Sequence, residues 1–143
     1  MGFPVRRRWV CGVEGAAARA RAEIGRFIAD GEACGLAVPA SAREVALLVA
    51  SEMVANAARH TGGPCVLEVA WGVRGGLDID VTDTSPDPPR PRPPDLAGGG
   101  GFGWPLVNVL ATDVHVRPSS GGGKTVHAHV QASSQVTGSR CTP

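Results

Sequence analysis

Apolar and polar positions alternate in four stretches of this chain and recur at helical spacing in three others. "RRRWVCGV" (Arg6 to Val13) is rich in strand formers and predicts a first strand. From Gly15 to Gly35, Ala20, Ile24, Phe27 and Ile28 fall on one side of a predicted helix. After the connection "LAVPAS", Ser41 stands three residues before Glu44, the spacing of a capping box, and a second helix is expected from Ser41 to about His60. The glycines and proline of "TGGP" end it. "CVLEVAWGV" and "LDIDVTD" alternate apolar and polar residues across Arg74, Gly75 and Gly76, as two strands of a hairpin do. "FGWPLVNVLAT" predicts a short helix with Pro105 in its first turn, and "DVHVRP" and "KTVHAHV" predict two closing strands joined by "SSGGG". This order favours α+β, a mainly antiparallel sheet with helices on one face.

Between the fifth and sixth predicted elements lies "TSPDPPRPRPPDLAGGGG", whose six prolines and four closing glycines exclude regular structure. Loops this long inside a compact domain are often functional lids, with a linker as the plain alternative. The last dozen residues are small and polar and read as a frayed tail. The chain of 143 residues thus reads as one domain over residues 1–131, a lid over about 84–101 and a tail over 132–143.

Composition narrows the class. With 14 basic and 13 acidic side chains the net charge is +1, too weak a field to indicate nucleic acid or an anionic membrane as the main partner. Arg6-Arg7-Arg8 is the only basic cluster and reads as a solvated strand edge or arm. No apolar run approaches the roughly 18 residues needed to cross a bilayer, and the N-terminal stretch does not read as a secretory signal. A cytoplasmic protein is expected. Cys11, Cys34, Cys65 and Cys141 lack metal-ligand spacing and read as reduced thiols, mostly small core residues.

The second helix carries the chemistry. Leu47, Ala50, Val54 and Ala57 share a face suited to packing on a sheet, while Leu48, Glu52, Asn56 and His60 form a polar stripe. A solvated helix face is the bland explanation of that stripe. The residue types also suit a site: a carboxylate can remove a proton, an amide oxygen one turn on is a hard ligand for Mg²⁺, and Arg59 could offset phosphate charge. Asp83, ending a strand that bears Ile79 and Val81, could accept from a purine amino group in an apolar pocket. Gly101 and Gly103 precede a helix N-terminus, where backbone can approach a phosphate closely. "SSGGGKT" is not a P-loop, because Pro118 stands where that motif needs glycine.

Taken in order, these blocks resemble the bacterial anti-sigma-factor serine/threonine kinases, within the ATP-binding superfamily of gyrase, histidine kinases and heat-shock chaperones. "SEMVANAARH" resembles the family's N box, "DVTDTSP" its first glycine-box segment, "GFGWPLV" the second and "GGGKTV" the closing segment; the resemblance runs from about Arg43 to Val130. It implies a two-layer α/β sandwich of the Bergerat ATP-binding type, with a mixed, mostly antiparallel sheet, about three helices on one face and a Pro/Gly-rich lid. It implies ATP and Mg²⁺ as cofactors, Asn56 as the metal ligand and Glu52 as general base. Asp83 would bind the adenine amino group with help from the Thr125 hydroxyl, and Lys124, Arg59, Gly101 and Gly103 would complete the nucleotide site. The implied function is an ATP-binding anti-sigma factor that phosphorylates an antagonist protein. Its partners would be a sigma factor and that anti-anti-sigma antagonist, its state a homodimer. The rival is a nucleotide-binding regulatory module that transfers no phosphate. Thr84, Ser85 and Pro86, standing where many relatives have glycine, and Trp104 with Pro105 after the second box depart from the family pattern.

Overall fold

In the computed structural model, residues 5–89 and 103–132 are described. The elements run β1 (Arg6–Cys11), α1 (Ala16–Ala33), α2 (Ala40–Thr61), β2 (Cys65–Trp71), β3 (Leu77–Asp83), α3 (Gly103–Leu110), β4 (Asp113–Pro118) and β5 (Lys124–Val130). The strands form one sheet in the order β1-β2-β3-β5-β4. Every pairing between these strands is antiparallel, where a mixed, mostly antiparallel sheet was expected. Residues 90–102, which include most of the lid expected over about 84–101 and Gly101, and the tail from 133 onward lie outside the described residues.

Strand periodicity divides the sheet into two chemically different faces. Leu67 and Val69 of β2, Ile79 and Val81 of β3, and Val126, Ala128 and Val130 of β5 are all buried. They meet Ile24, Phe27 and Ile28 of α1 and Ala46, Val49, Ala50, Met53 and Val54 of α2 in one core. Phe27 stacks on Trp71 with ring centroids 5.0 Å apart. The opposite face carries Glu68, Asp78, Asp80, His127 and His129. At the β1 edge the arginine run divides by the same period: Arg6 and Arg8 are exposed, whereas Arg7 reaches Asp30 of α1.

Two expectations fail locally. The second helix begins one residue before Ser41, with Pro39 as its N-cap at φ −56° and ψ 147°, and no side chain caps it. Proline presets the φ at which the chain can enter a helix, so the Ser41–Glu44 pair lies inside the helix rather than closing its end. Cys34 is disulfide-bonded, not a reduced thiol; Cys11 and Cys65 are free and buried, as expected. These two face each other across β1 and β2. A hydrogen bond from the Cys65 thiol, assisted by Arg19, brings Cys11 down to about 7, and the same bond together with burial pushes Cys65 up.

The C-terminus of α2 follows the sequence reading. Gly62 takes the left-handed conformation at φ 64°, and its N–H donates to Ala58 O. A Cβ there would meet no atom within 4 Å, so substitution is opposed only by backbone conformation. Gly62→Ala is therefore expected to destabilise the fold by about 1–2 kcal/mol, measured by urea denaturation, with Gly62→Asn costing less.

Candidate functional site

The polar stripe of α2 is not a solvated face throughout. Asn56 is 6% exposed, Glu52 is half-buried, and only His60, in the last turn, is exposed. The difference arises because α2 is covered on more than one side. It contacts β2, β3 and β5 of the sheet, α1, and also α3. Asn56 is thus nearly covered at the level of the whole residue. Its amide oxygen is a neutral, hard donor, so it fits Mg²⁺ in kind. Glu52, one turn earlier, forms no hydrogen bond or ion pair among the described residues. Arg59 turns to a groove of about 400 Å³ between the start of α1 and α2, lined also by Ala17, Ala55 and Ala58.

Asp83 ends β3 on the helix-facing side, in line with Ile79 and Val81. The β3–β5 register sets it directly opposite Lys124. The Lys124 ammonium bonds both carboxylate oxygens, at 3.0 Å to Oδ1 and 2.9 Å to Oδ2. The side chains are 4% and 2% exposed. The Ser85 N–H donates to Asp83 Oδ1 at 2.9 Å, and the Ser85 carbonyl accepts from Lys124 at 3.3 Å. Thr84, Ser85 and Pro86, the departure from the family pattern, thus form a turn that folds back on the carboxylate. Three of the roughly four acceptor positions of a carboxylate are in use, which leaves one, on Oδ2.

Gly123 makes this approach possible. A Cβ at that position would lie 1.9 Å from the Asp83 carbonyl oxygen. Gly123→Ala must therefore push β5 away from the end of β3. The expected outcome is a loss of about 1–3 kcal/mol in urea denaturation, together with loss of the Lys124–Asp83 contact.

Thr125 is not part of this group. Its Oγ1 lies 2.8 Å from Thr82 Oγ1, a pair on the sheet face opposite Asp83. The expected assistance to Asp83 from the Thr125 hydroxyl is therefore not what the strand provides; Lys124 holds that place. A signal for this stood in the sequence. Val126, Ala128 and Val130 are the apolar alternation of "KTVHAHV", so Lys124 shares their face and Thr125 sides with His127 and His129. Gly103 begins α3, next to α2, while Gly101 lies outside the described residues.

The two-layer α/β domain thus carries a half-buried carboxylate, a buried amide residue one turn later and a buried aspartate at the end of the central strand. The chain belongs to the histidine kinase-like ATPase domain family, whose model matches residues 14–129. A comparison with curated proteins finds no match. Among solved structures, the fold is similar to the crystal structure of the RsbU and RsbW domains of Rv1364c from Mycobacterium tuberculosis. The TM-score is 0.65 at 16% identity, over 89% of this chain and 32% of that one. The chain therefore spans about a third of the length of that structure's chain. No helix among the described residues is long and apolar enough to cross a membrane.

Proposed function

We propose that the chain is an ATP-binding anti-sigma regulatory factor of the cytoplasm, a homodimeric protein serine/threonine kinase that sequesters a sigma factor and phosphorylates its antagonist. Membership of the histidine kinase-like ATPase family supports nucleotide binding. The four motif blocks, and the fold similarity to a structure containing an RsbW domain, support the anti-sigma assignment. The observation that carries the site is the placing of Asn56, 6% exposed, one helical turn after half-buried Glu52 on α2.

In this reading the exocyclic amino group of the base would donate to the remaining acceptor position of Asp83. Lys124 keeps that carboxylate neutralised and fixed in orientation. The dipole at the N-terminus of α3 would favour the phosphates. Asn56 and the phosphate oxygens would hold Mg²⁺, which supplies charge neutralisation on the transferring phosphoryl group. Glu52 takes the proton from the acceptor serine or threonine hydroxyl. The hydroxyl oxygen then forms its bond to the γ-phosphorus, and ADP leaves with the electron pair of the broken P–O bond.

The test is calorimetric titration of ATP with and without Mg²⁺. Wild type should bind Mg·ATP with micromolar Kd, about −8 kcal/mol. Asn56→Ala should bind ATP with an affinity that no longer responds to the metal. A folded wild type that binds neither ATP nor ADP would overturn the proposal. One observation favours a second reading, a regulatory module that binds nucleotide without transferring phosphate: the Ser85 turn and Lys124 occupy most of the acceptor capacity of Asp83.

A further inference from the structure

The sheet face turned away from the helices carries a second cluster that the nucleotide reading does not use. Register places His115 of β4 directly opposite His127 of β5, with Asp113 two residues before His115 on the same face. Donor atoms of Asp113, His115 and His127 all lie within 4.8 Å of one another.

Three independent features give this cluster a ligand-binding character. His127 is held in place, because its Nδ1 lies 2.7 Å from Asp80 Oδ1. A carboxylate at Nδ1 keeps the proton there and leaves the Nε2 lone pair available, the usual support of a metal-bound imidazole. Charge is the second feature. Asp113 and Asp80 lie beside the two imidazoles and Asp78 is 3.8 Å from His127 Nε2, against Arg117, which is 3.7 Å from Asp80. Arg6 and Arg8 lie 4.0 Å from Glu68, and Arg6 also borders the cavity that His115 and His127 line. The third feature is freedom of movement, since the side chains of His115 and Asp113 are 50% and 63% exposed.

We propose that Asp113, His115 and His127 form a binding site for a divalent transition metal of the zinc class, with Asp80 as the positioning residue. Two imidazoles and a carboxylate with an open fourth position are a common zinc donor set, whereas Mg²⁺ prefers oxygen ligands alone. His127 is the preset ligand. The two rings are stacked with centroids 4.6 Å apart and planes at 25°. His115, half exposed, would turn about its side-chain torsions to converge on the ion, giving up that stacking. The site lies on the opposite face of the sheet from Asn56 and Asp83, so its loading does not depend on nucleotide.

The experiment is titration of chelator-stripped full chain with Zn²⁺ alone, without nucleotide, followed by calorimetry. One ion per chain with micromolar Kd is expected. The affinity should fall at least about 100-fold in His127→Ala and in the exposed-site variant His115→Ala, and about 10–100-fold in Asp80→Asn. Circular dichroism checks that each variant is folded, and Mg·ATP titration of His115→Ala should match wild type. The inference is overturned if folded wild type binds no Zn²⁺. It is equally overturned if stoichiometric binding survives in the His115→Ala/His127→Ala double variant, which would place the ion elsewhere. Neither result bears on the nucleotide site, and a failure to bind ATP would leave this site standing.

Discussion

Asp83→Ala is expected to lower the unfolding free energy by about 3–5 kcal/mol, the usual cost of removing one member of a buried ion pair. The reason lies in what is left behind. Lys124, 4% exposed, would keep its ammonium beneath the end of the sheet with only the Ser85 carbonyl as an acceptor. Lys124→Ala should cost less, because Asp83 would retain the Ser85 N–H bond. Replacing both by apolar residues of similar volume, Asp83→Leu with Lys124→Met, should recover most of the loss, since a buried pair is worth little net stability once its desolvation is counted. Urea denaturation of the three variants checks this. A single variant as stable as wild type would show that the pair is hydrated in solution rather than buried. The double variant also separates fold from function. If it is stable yet binds no ATP, the contribution of Asp83 to base recognition is distinct from its contribution to the fold.

Much of the architecture was legible because it is local. "LDIDVTD" alternates strictly and is β3 from its first residue to its last, and the tolerated position of Pro105 correctly marked the first turn of α3. Gly62 was readable because one left-handed residue is enough to end a helix. What escaped depends on which elements meet. That β3 pairs with β5 across an intervening helix cannot be read from either strand, and only that pairing sets Lys124 against Asp83. The burial of Asn56 was hidden for the same reason. Its stripe is polar in sequence, and it is the covering of α2 by its neighbours that buries the residue. The Thr125 error differs in kind. The alternation that assigns it to the outer face was present in the sequence, and the expectation came from family resemblance, against the strand's own period. The helix start at Pro39 was missed because two capping devices competed, and a capping-box spacing does not reveal whether its serine lies at the boundary or one turn position inside it.

Glu52→Gln carries the largest expected change in rate. The substitution keeps side-chain length, and Gln and Glu have similar helix propensity. Glu52 forms no hydrogen bond or ion pair among the described residues that would be lost, so stability should stay within about 0.5 kcal/mol of wild type. ATP affinity should also be unchanged, because the carboxylate is assigned to the acceptor hydroxyl and not to the nucleotide. Only the proton-removing capacity disappears. General-base catalysis contributes typically 10²–10⁴-fold, and a loss of about that size is expected in single-turnover transfer of labelled γ-phosphate to a serine-bearing antagonist domain. Unchanged transfer in Glu52→Gln would remove the base role and move catalysis to positioning by Asn56 and the phosphate site alone. If wild type itself binds Mg·ATP tightly but transfers nothing, Glu52 has no hydroxyl to act on, and the module that binds nucleotide without transferring phosphate is the better reading, as the crowding of Asp83 by Lys124 and Ser85 would favour.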